Sequence, residues 1–166
     1  MTNKFDKIFD MYNKDLFRLI FSYTLNISDS KDILQETFIK YYQKMNNLPE
    51  DDIEIKKWLI KVAINKSKDY LKCWKRSFNE LDDNKLILKN FELNLDMLDL
   101  LSRIDKKYRI PVYLYYYEGY MISEISSLLN VSQSAIKMRL SRAKEILKKE
   151  LEVVLWKNFK RNIKNL

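Results

Sequence analysis

The side chains best suited to a chemical task lie near the carboxyl end, where hydroxyl, amide and cationic groups recur over eleven residues. They are Ser132, Gln133, Ser134, Lys137, Met138, Arg139, Ser141 and Arg142. Lys and Arg neutralise phosphates and release bound counterions, which supplies affinity for nucleic acid. Arg and Ser can also read base edges in a groove. This chemistry is recognition of DNA and includes no covalent step.

Two predicted helices joined by a tight turn must position those side chains. The first helix has apolar residues at helical spacing: Ile122, Ile125, Leu128 and Leu129. Asn130 tolerates the left-handed conformation of a helix exit, and Ser132 is a good N-cap for the next helix. The apolar back of that second helix comprises Ile136, Leu140, Ala143 and Leu147. This order predicts a helix-turn-helix. The alternative is a helical hairpin with a solvated basic face.

The composition predicts an all-α fold. With one Gly and two Pro among 166 residues, the chain rarely needs a positive φ or a rigid turn. A hydrophobic content of 46% supports packed cores, and the formal net charge of +8 favours a polyanionic partner. The sequence contains no apolar run of about 18 residues, the length needed to span a membrane. The first residues lack the apolar core of a signal peptide, so we expect a cytoplasmic protein.

Missing residue types argue against an enzyme. The chain has no His and a single Cys, Cys73, which excludes the usual zinc sites and any catalytic triad that needs His. A single Gly excludes both the phosphate-binding loop and the dinucleotide fingerprint. We therefore expect no catalytic residue, no metal and no cofactor.

The amino-terminal half begins with an amphipathic helix that runs roughly to Leu25, and Ser28 or Asp29 is expected to cap the next helix. In that second helix, DSKDILQETFIKYYQKM, one apolar stripe contains Leu34, Phe38, Tyr41 and Met45. Outside the stripe lie Asp32, Gln35, Glu36, Ile39 and Lys40. An acid, an amide and an apolar residue on one face suit a protein partner, and the alternative is an ordinary solvated face.

A third predicted helix is strongly basic. Between Lys56 and Arg76 there are eight Lys or Arg residues and one acid, and Trp58, Tyr70 and Trp74 are interleaved with them. Basic and aromatic residues together fit a surface that binds a nucleic-acid strand. Asn65, an amide among Lys61, Lys66 and Lys68, is placed to read a base edge.

The changes in charge and periodicity predict two small helical domains joined by a linker. We assign residues 1–77 to the first domain, 78–97 to an acidic linker and 98–151 to the second domain, which contains the helix-turn-helix. Residues 152–166 are predicted to be an amphipathic C-terminal extension that folds back on the second domain.

Two stretches resemble a known family. DSKDILQETFIKYYQKM with WLIKVAINKSKDYLK is similar to the amino-terminal domain of the bacterial sigma factors of the extracytoplasmic-function group. IDKKYRIPVYLYYYEGYMISEISSLLNVSQSAIKMRLSRAKEILKKEL is similar to their carboxy-terminal domain. The resemblance implies a protein that binds core RNA polymerase, directs it to promoter DNA and promotes melting. It also implies an anti-sigma factor as a partner, and we expect the free chain to be a monomer.

The resemblance also implies roles for individual residues. The residues for binding core polymerase would be Asp32, Gln35, Glu36 and Phe38. The loop 46–55 and Asn65 would form a pocket for a flipped base of the −10 element, with Lys61, Lys66 and Lys68 on the backbone. In the −35 element, bases would face Lys137, Met138, Ser141 and Arg142. Phosphates would lie near Ser132, Gln133, Ser134 and Arg139. Met138 departs from the family pattern and suggests apolar contact, for example with a thymine methyl.

Two alternatives stay open at the level of sequence. A helix-turn-helix regulator that binds an operator and never contacts polymerase predicts homodimers on palindromic sites. A helical interaction protein whose basicity is incidental predicts DNA binding without sequence preference.

Overall fold

The computed structural model describes residues 3–73 and 102–164, with side chains through Lys72 in the first range and Glu152 in the second. Every regular element in these ranges is helical. The chain divides into two compact units, residues 1–98 and 99–166. The predicted acidic linker 78–97 and Trp74 lie outside the described residues.

The first unit contains three helices: α1 (Lys4–Thr24), α2 (Ile27–Lys44) and α3 (Asp52–Cys73). The α1 helix ends where Leu25 adopts φ 50° and donates its N–H to Phe21 O at 2.8 Å. Asn26 then caps α2, because its Oδ1 accepts the N–H of Asp29 at 3.0 Å. The predicted break is therefore confirmed, but Ser28 and Asp29 lie inside the helix and the expectation that either caps it was wrong.

Each helix of this unit packs against the other two, and their apolar faces meet in one core. Its most buried large side chains include Tyr41, Phe17, Phe21, Ile8, Leu16, Ile20, Ile55, Leu59, Ile60 and Ile64. Burying one such side chain contributes roughly 1.5–3 kcal/mol. At the edge, Lys7 Nζ lies 2.7 Å from Asp52 Oδ2, and Tyr12 Oη donates to Asp52 O at 3.1 Å. These contacts join α1 to the first turn of α3.

The loop between α2 and α3 starts with a 3-10 turn, Met45–Asn47. It ends at Asp51, whose Oδ1 accepts the backbone N–H groups of Ile53 at 2.7 Å and Glu54 at 3.2 Å. Such side-chain acceptance satisfies amide groups that have no partner within the helix. The start of α3 is therefore defined by a local cap.

The second unit begins with α4 (Lys106–Val112), which continues into a π-helical turn, Tyr113–Tyr117. The N-cap is Asp105, which accepts the N–H of Lys107 at 2.9 Å. Gly119 lies just after the turn at φ 73°, a left-handed conformation that glycine adopts without steric cost. Arg109 is buried and donates from Nη1 to Ile104 O at 3.2 Å.

The remaining helices are α5 (Ile122–Leu129) and α6 (Gln133–Lys164). The backbone of α6 runs without interruption for 32 residues, about 48 Å at 1.5 Å per residue. The prediction that residues after 151 fold back on the domain was therefore wrong, since they continue the same helix to Lys164. Within residues 3–73 and 102–164, no helix combines the length and apolarity needed to cross a membrane.

Candidate nucleic-acid and protein interfaces

The turn between α5 and α6 has the geometry that the sequence predicts. Asn130 adopts φ 56°, and its N–H bonds Ser126 O at the end of α5. The hydroxyl of Ser132 accepts the N–H of Ala135 at 3.3 Å and so caps α6. At the start of α5, the Glu124 carboxylate accepts the N–H of Met121 at 2.9 Å, which partly compensates for an N-cap residue without a side-chain oxygen. These local bonds orient α6.

The first three turns of α6 present the predicted recognition surface to solvent. Seven of the eight predicted residues are exposed: Ser132, Gln133, Ser134, Lys137, Met138, Ser141 and Arg142. Arg139, predicted for phosphate, is half-buried at the flank. Ile136, Leu140 and Ala143 are buried on the opposite side. The polar front and apolar back of this helix are therefore separated as the helical period predicts.

Two members of this recognition surface have distinctive surroundings. The guanidinium of Arg142 lies 2.9 Å from Glu145 Oε2, one turn along the same helix. A base contact by Arg142 therefore requires exchange of this exposed ion pair, which costs little in water. Met138 is 65% exposed, an unusual apolar surface between cationic neighbours. It is available for contact with an apolar group such as a methyl.

The α2 helix separates the four predicted polymerase residues into two groups. Asp32, Gln35 and Glu36 are exposed on one face. Phe38 is only 4% exposed, and its ring centroid lies 4.8 Å from that of Phe9. The structure therefore does not place Phe38 on the surface with the other three. It lies in the apolar stripe that the helical period predicts, where it packs α2 against α1.

The exposed face of α2 also contains a residue that the sequence analysis did not select. Ile39 is 48% exposed, and Tyr42 is 62% exposed. They follow Gln35 by four and seven residues, so all three lie on one side of the helix. The seven-residue spacing from Gln35 to Tyr42 indicates a shared face, but the sequence analysis selected only the neighbouring Tyr41, for the apolar stripe. An acid, an amide and two apolar side chains form a mixed surface suited to a protein.

The predicted −10 residues occupy successive turns of α3. Lys61 and Asn65 are exposed, and Lys66 and Lys68 are half-buried. Trp58 is also half-buried, with its ring 6.5 Å from Tyr41, in agreement with its predicted place on the apolar stripe. In the predicted base pocket, the residues at 46, 47, 49, 50, 51, 53 and 54 are exposed, but Ile55 is fully buried in the core.

Two polar contacts join α2 to α3. Lys66 Nζ lies 2.6 Å from Glu36 Oε2. Burial, followed by a hydrogen bond to the Asp29 carboxylate, raises the pKa of Tyr70 to about 12. The Tyr70 hydroxyl is therefore protonated at neutral pH and donates a hydrogen bond to the Asp29 carboxylate. The Lys66–Glu36 ion pair therefore links a residue predicted to bind DNA with one predicted to bind polymerase.

Two family models match the chain in order. Residues 8–77 match Sigma-70 region 2, and residues 94–147 match Sigma-70, region 4. The first stretch covers α1 to α3, and the second covers α4, α5 and the recognition surface of α6. An operator-binding regulator has no reason to contain both regions, so these matches disfavour that alternative.

Relatives match over most of their length. The chain is 30% identical over 154 residues to the ECF RNA polymerase sigma factor SigM of Bacillus subtilis, covering 86% of this chain and 92% of SigM. It is 26% identical to RNA polymerase sigma factor SigV of the same organism, covering 84% and 86%. Both alignments span the two units.

Solved structures show the same fold at low identity. The sigma factor RpoE of Bartonella quintana, solved with the anti-sigma factor NepR, matches with a TM-score of 0.69 and 18% identity, over 90% of this chain and 97% of that one. CnrH, solved with the cytosolic domain of CnrY, matches with a TM-score of 0.63 and 21% identity, over 90% and 88%. Together with the sequence matches, they lead to one assignment. The chain belongs to the extracytoplasmic-function family of RNA polymerase sigma factors, which are transcription initiation factors and not enzymes.

Proposed function

We propose that this chain binds core RNA polymerase through the exposed face of α2 and binds promoter DNA through α3 and α6. The observation that carries the proposal is the segregation of side chains on these helices. In each, the residues assigned to a macromolecule are exposed or half-buried, and most of the apolar residues between them pack inward. The chain acts in the cytoplasm, where polymerase and DNA are found.

On the polymerase side, we assign contacts to Asp32, Gln35 and Glu36 and extend them to Ile39 and Tyr42. The Tyr42 ring and the Ile39 side chain supply exposed apolar area. The two acids, Asp32 and Glu36, favour a cationic surface on the partner. Phe38 acts indirectly, because its buried ring holds α2 against α1. The assignment therefore combines two apolar contacts, Ile39 and Tyr42, with polar contacts on the same face.

On the DNA side, α3 and α6 are assigned different tasks. Asn65 reads a base exposed by melting of the −10 element, and Lys61, Lys66 and Lys68 hold the backbone. In the −35 element, Lys137, Met138, Ser141 and Arg142 face bases. The flanking phosphates are contacted by Ser132, Gln133, Ser134 and Arg139. The formal net charge of +8 draws both helices to DNA.

An anti-sigma factor is the proposed regulator. Two of the similar structures, RpoE and CnrH, were solved with such a partner or with the cytosolic domain of a second protein. A protein that covers the exposed α2 face would exclude polymerase from it. The free chain is proposed to be a monomer, which sedimentation would test against the dimer expected of an operator-binding regulator.

The central experiment is co-purification with core polymerase. We expect the wild-type chain to retain polymerase subunits. The double variant Gln35→Ala with Glu36→Ala should lose about tenfold in affinity, or about 1.4 kcal/mol, because it removes an amide contact and a charged contact together. Binding of duplex −35 DNA should stay unchanged, because α6 is intact.

The matched control is Asp10→Ala, which removes an exposed acid from α1 and leaves every α2 residue unchanged. It should retain polymerase like the wild-type chain. A double variant that still co-purifies normally, or a wild-type chain that retains no polymerase, would contradict the proposal.

A further inference from the structure

The ion pair between Glu36 and Lys66 joins two surfaces for which different partners are proposed. Lys66 Nζ on α3 lies 2.6 Å from Glu36 Oε2 on α2. The residues are 30 positions apart in sequence, so only the packing of α2 against α3 brings them together. A phosphate that binds Lys66 and a cation that binds Glu36 would each compete with this internal contact.

This pair differs from the local ion pairs on the surface. Arg142 pairs with Glu145, and Lys72 pairs with Asp69, each within one helix at a spacing of three residues. In the Glu36–Lys66 pair the two partners are unequally exposed: the Lys66 side chain is 28% exposed, but that of Glu36 is 61% exposed. A macromolecule that approaches α2 therefore meets the carboxylate first, while the ammonium is partly withdrawn.

The Glu36–Lys66 pair is not the only polar contact between α2 and α3. Tyr70, one turn after Lys66 on α3, hydrogen-bonds Asp29 near the start of α2. Beside the ion pair, α2 packs against α3, and apolar residues of both helices, such as Ile33 and Ala63, are buried. Glu36 and Lys66 can therefore exchange partners without separation of α2 from α3.

We propose that Glu36 is a positioning residue that makes binding of polymerase and binding of DNA mutually favourable. In the free chain its carboxylate holds the Lys66 ammonium. A basic side chain of polymerase draws Glu36 away and releases Lys66 to bind a DNA phosphate. This inference rests on the proposed function, because it takes α2 as the polymerase surface and α3 as the DNA surface. Linkage makes the effect reciprocal, so a phosphate that binds Lys66 also frees Glu36 for polymerase.

The first test is binding of the free full-length chain to a fluorescein-labelled dT12 oligonucleotide, measured by anisotropy. Glu36→Gln should raise the affinity about two- to fivefold, since solvated ion pairs are worth up to about 1 kcal/mol. The logarithmic salt dependence should become steeper by about 0.7, the value for one added phosphate contact on a single strand. In a Lys66→Gln background, Glu36→Gln should give no such gain.

The second test uses core RNA polymerase from the organism that encodes the chain. Lys66→Gln should strengthen binding of the chain to polymerase about two- to fivefold, because Glu36 no longer has an internal competitor. A residue that merely stabilises the fold, or one that contacts polymerase itself, would change this affinity in the opposite direction. Unchanged circular dichroism melting would show that both variants fold.

The control variant is Asp69→Asn on α3, which removes one negative charge, as Glu36→Gln does on α2. It opens the Lys72–Asp69 pair and leaves the Glu36–Lys66 pair intact. It should change dT12 affinity by less than about 1.5-fold, as expected for a solvated local pair. The inference is overturned if Asp69→Asn matches Glu36→Gln, if the gain persists without Lys66, or if Lys66→Gln weakens polymerase binding. If the wild-type chain fails to bind polymerase at all, the proposed function falls instead.

Discussion

Substitution of Phe38 tests whether this residue contacts polymerase directly or only supports the α2 surface from inside the core. The family resemblance predicts that it binds polymerase, but its side chain is 4% exposed and packs against Phe9. Truncation of a buried Phe to Ala costs about 3–5 kcal/mol, from lost transfer energy and the remaining cavity. Over residues 3–73, roughly 0.05–0.15 kcal/mol per residue gives a total stability of about 4–11 kcal/mol. Phe38→Ala should therefore remove a large part of the stability of the first unit.

A milder variant makes the prediction measurable. Phe38→Leu keeps an apolar side chain and should cost about 1–1.5 kcal/mol, in the range of imperfect apolar replacements. For a unit of this size the melting temperature of the first unit should fall by about 4–12 °C. Circular dichroism on the full chain, together with polymerase titration, measures both effects. Polymerase binding should weaken only as far as the unit is unfolded at the assay temperature.

The control is Ile39→Ala, since Ile39 is 48% exposed on the same helix. It should shift the melting temperature by no more than about 2–4 °C, as expected for an exposed position, but weaken polymerase binding. If Phe38→Leu melted like the wild-type chain and still lost tenfold or more in polymerase affinity, Phe38 would be a direct contact and the packing argument would be refuted.

Three further variants test the remaining roles. Arg142→Ala should cost about 1–3 kcal/mol at one promoter position in a binding assay with single-base variants; equal loss on random DNA would count against base reading. Asn65→Ala should slow promoter opening in a stopped-flow assay, and a template already melted at the −10 element should restore the rate. The pKa of Tyr70 is raised from 10.0 to about 12 in the folded state, so the unfolded state loses this proton at a lower pH. The free energy of unfolding should therefore fall as the pH rises from 10 to 12. Tyr70→Phe should flatten this loss in urea titrations.

Local sequence was sufficient to predict most of the helices and the helix-turn-helix. The geometry at Asn130 and Ser132 depends on one backbone conformation and one side-chain hydrogen bond, and both are confirmed. Gly119 likewise follows the π-helical turn in a left-handed conformation, which is a local preference of glycine. Such features involve residues within a few positions of one another, so their preferences are visible in the sequence.

The start of α2 shows where local preferences are insufficient. Asn26, Ser28 and Asp29 are all good caps and differ by only tenths of a kcal/mol, so the sequence alone does not rank them. Packing decides, because Ile27 and Ser30 are buried and must both lie within the helix to reach the core. Asn26 is then the residue left to cap it.

The sequence by itself determined the helical class, the periodic separation of polar and apolar faces, and the turn that presents the recognition surface of α6. Only the tertiary structure decided that Phe38 packs against Phe9 of α1, that Tyr42 is exposed beside Gln35, and that Glu36 holds Lys66. The physical reason is the range of the interactions. Caps and helical periods act between neighbours along the chain, whereas burial and the contact between Glu36 and Lys66 exist only after α2 packs against α1 and α3.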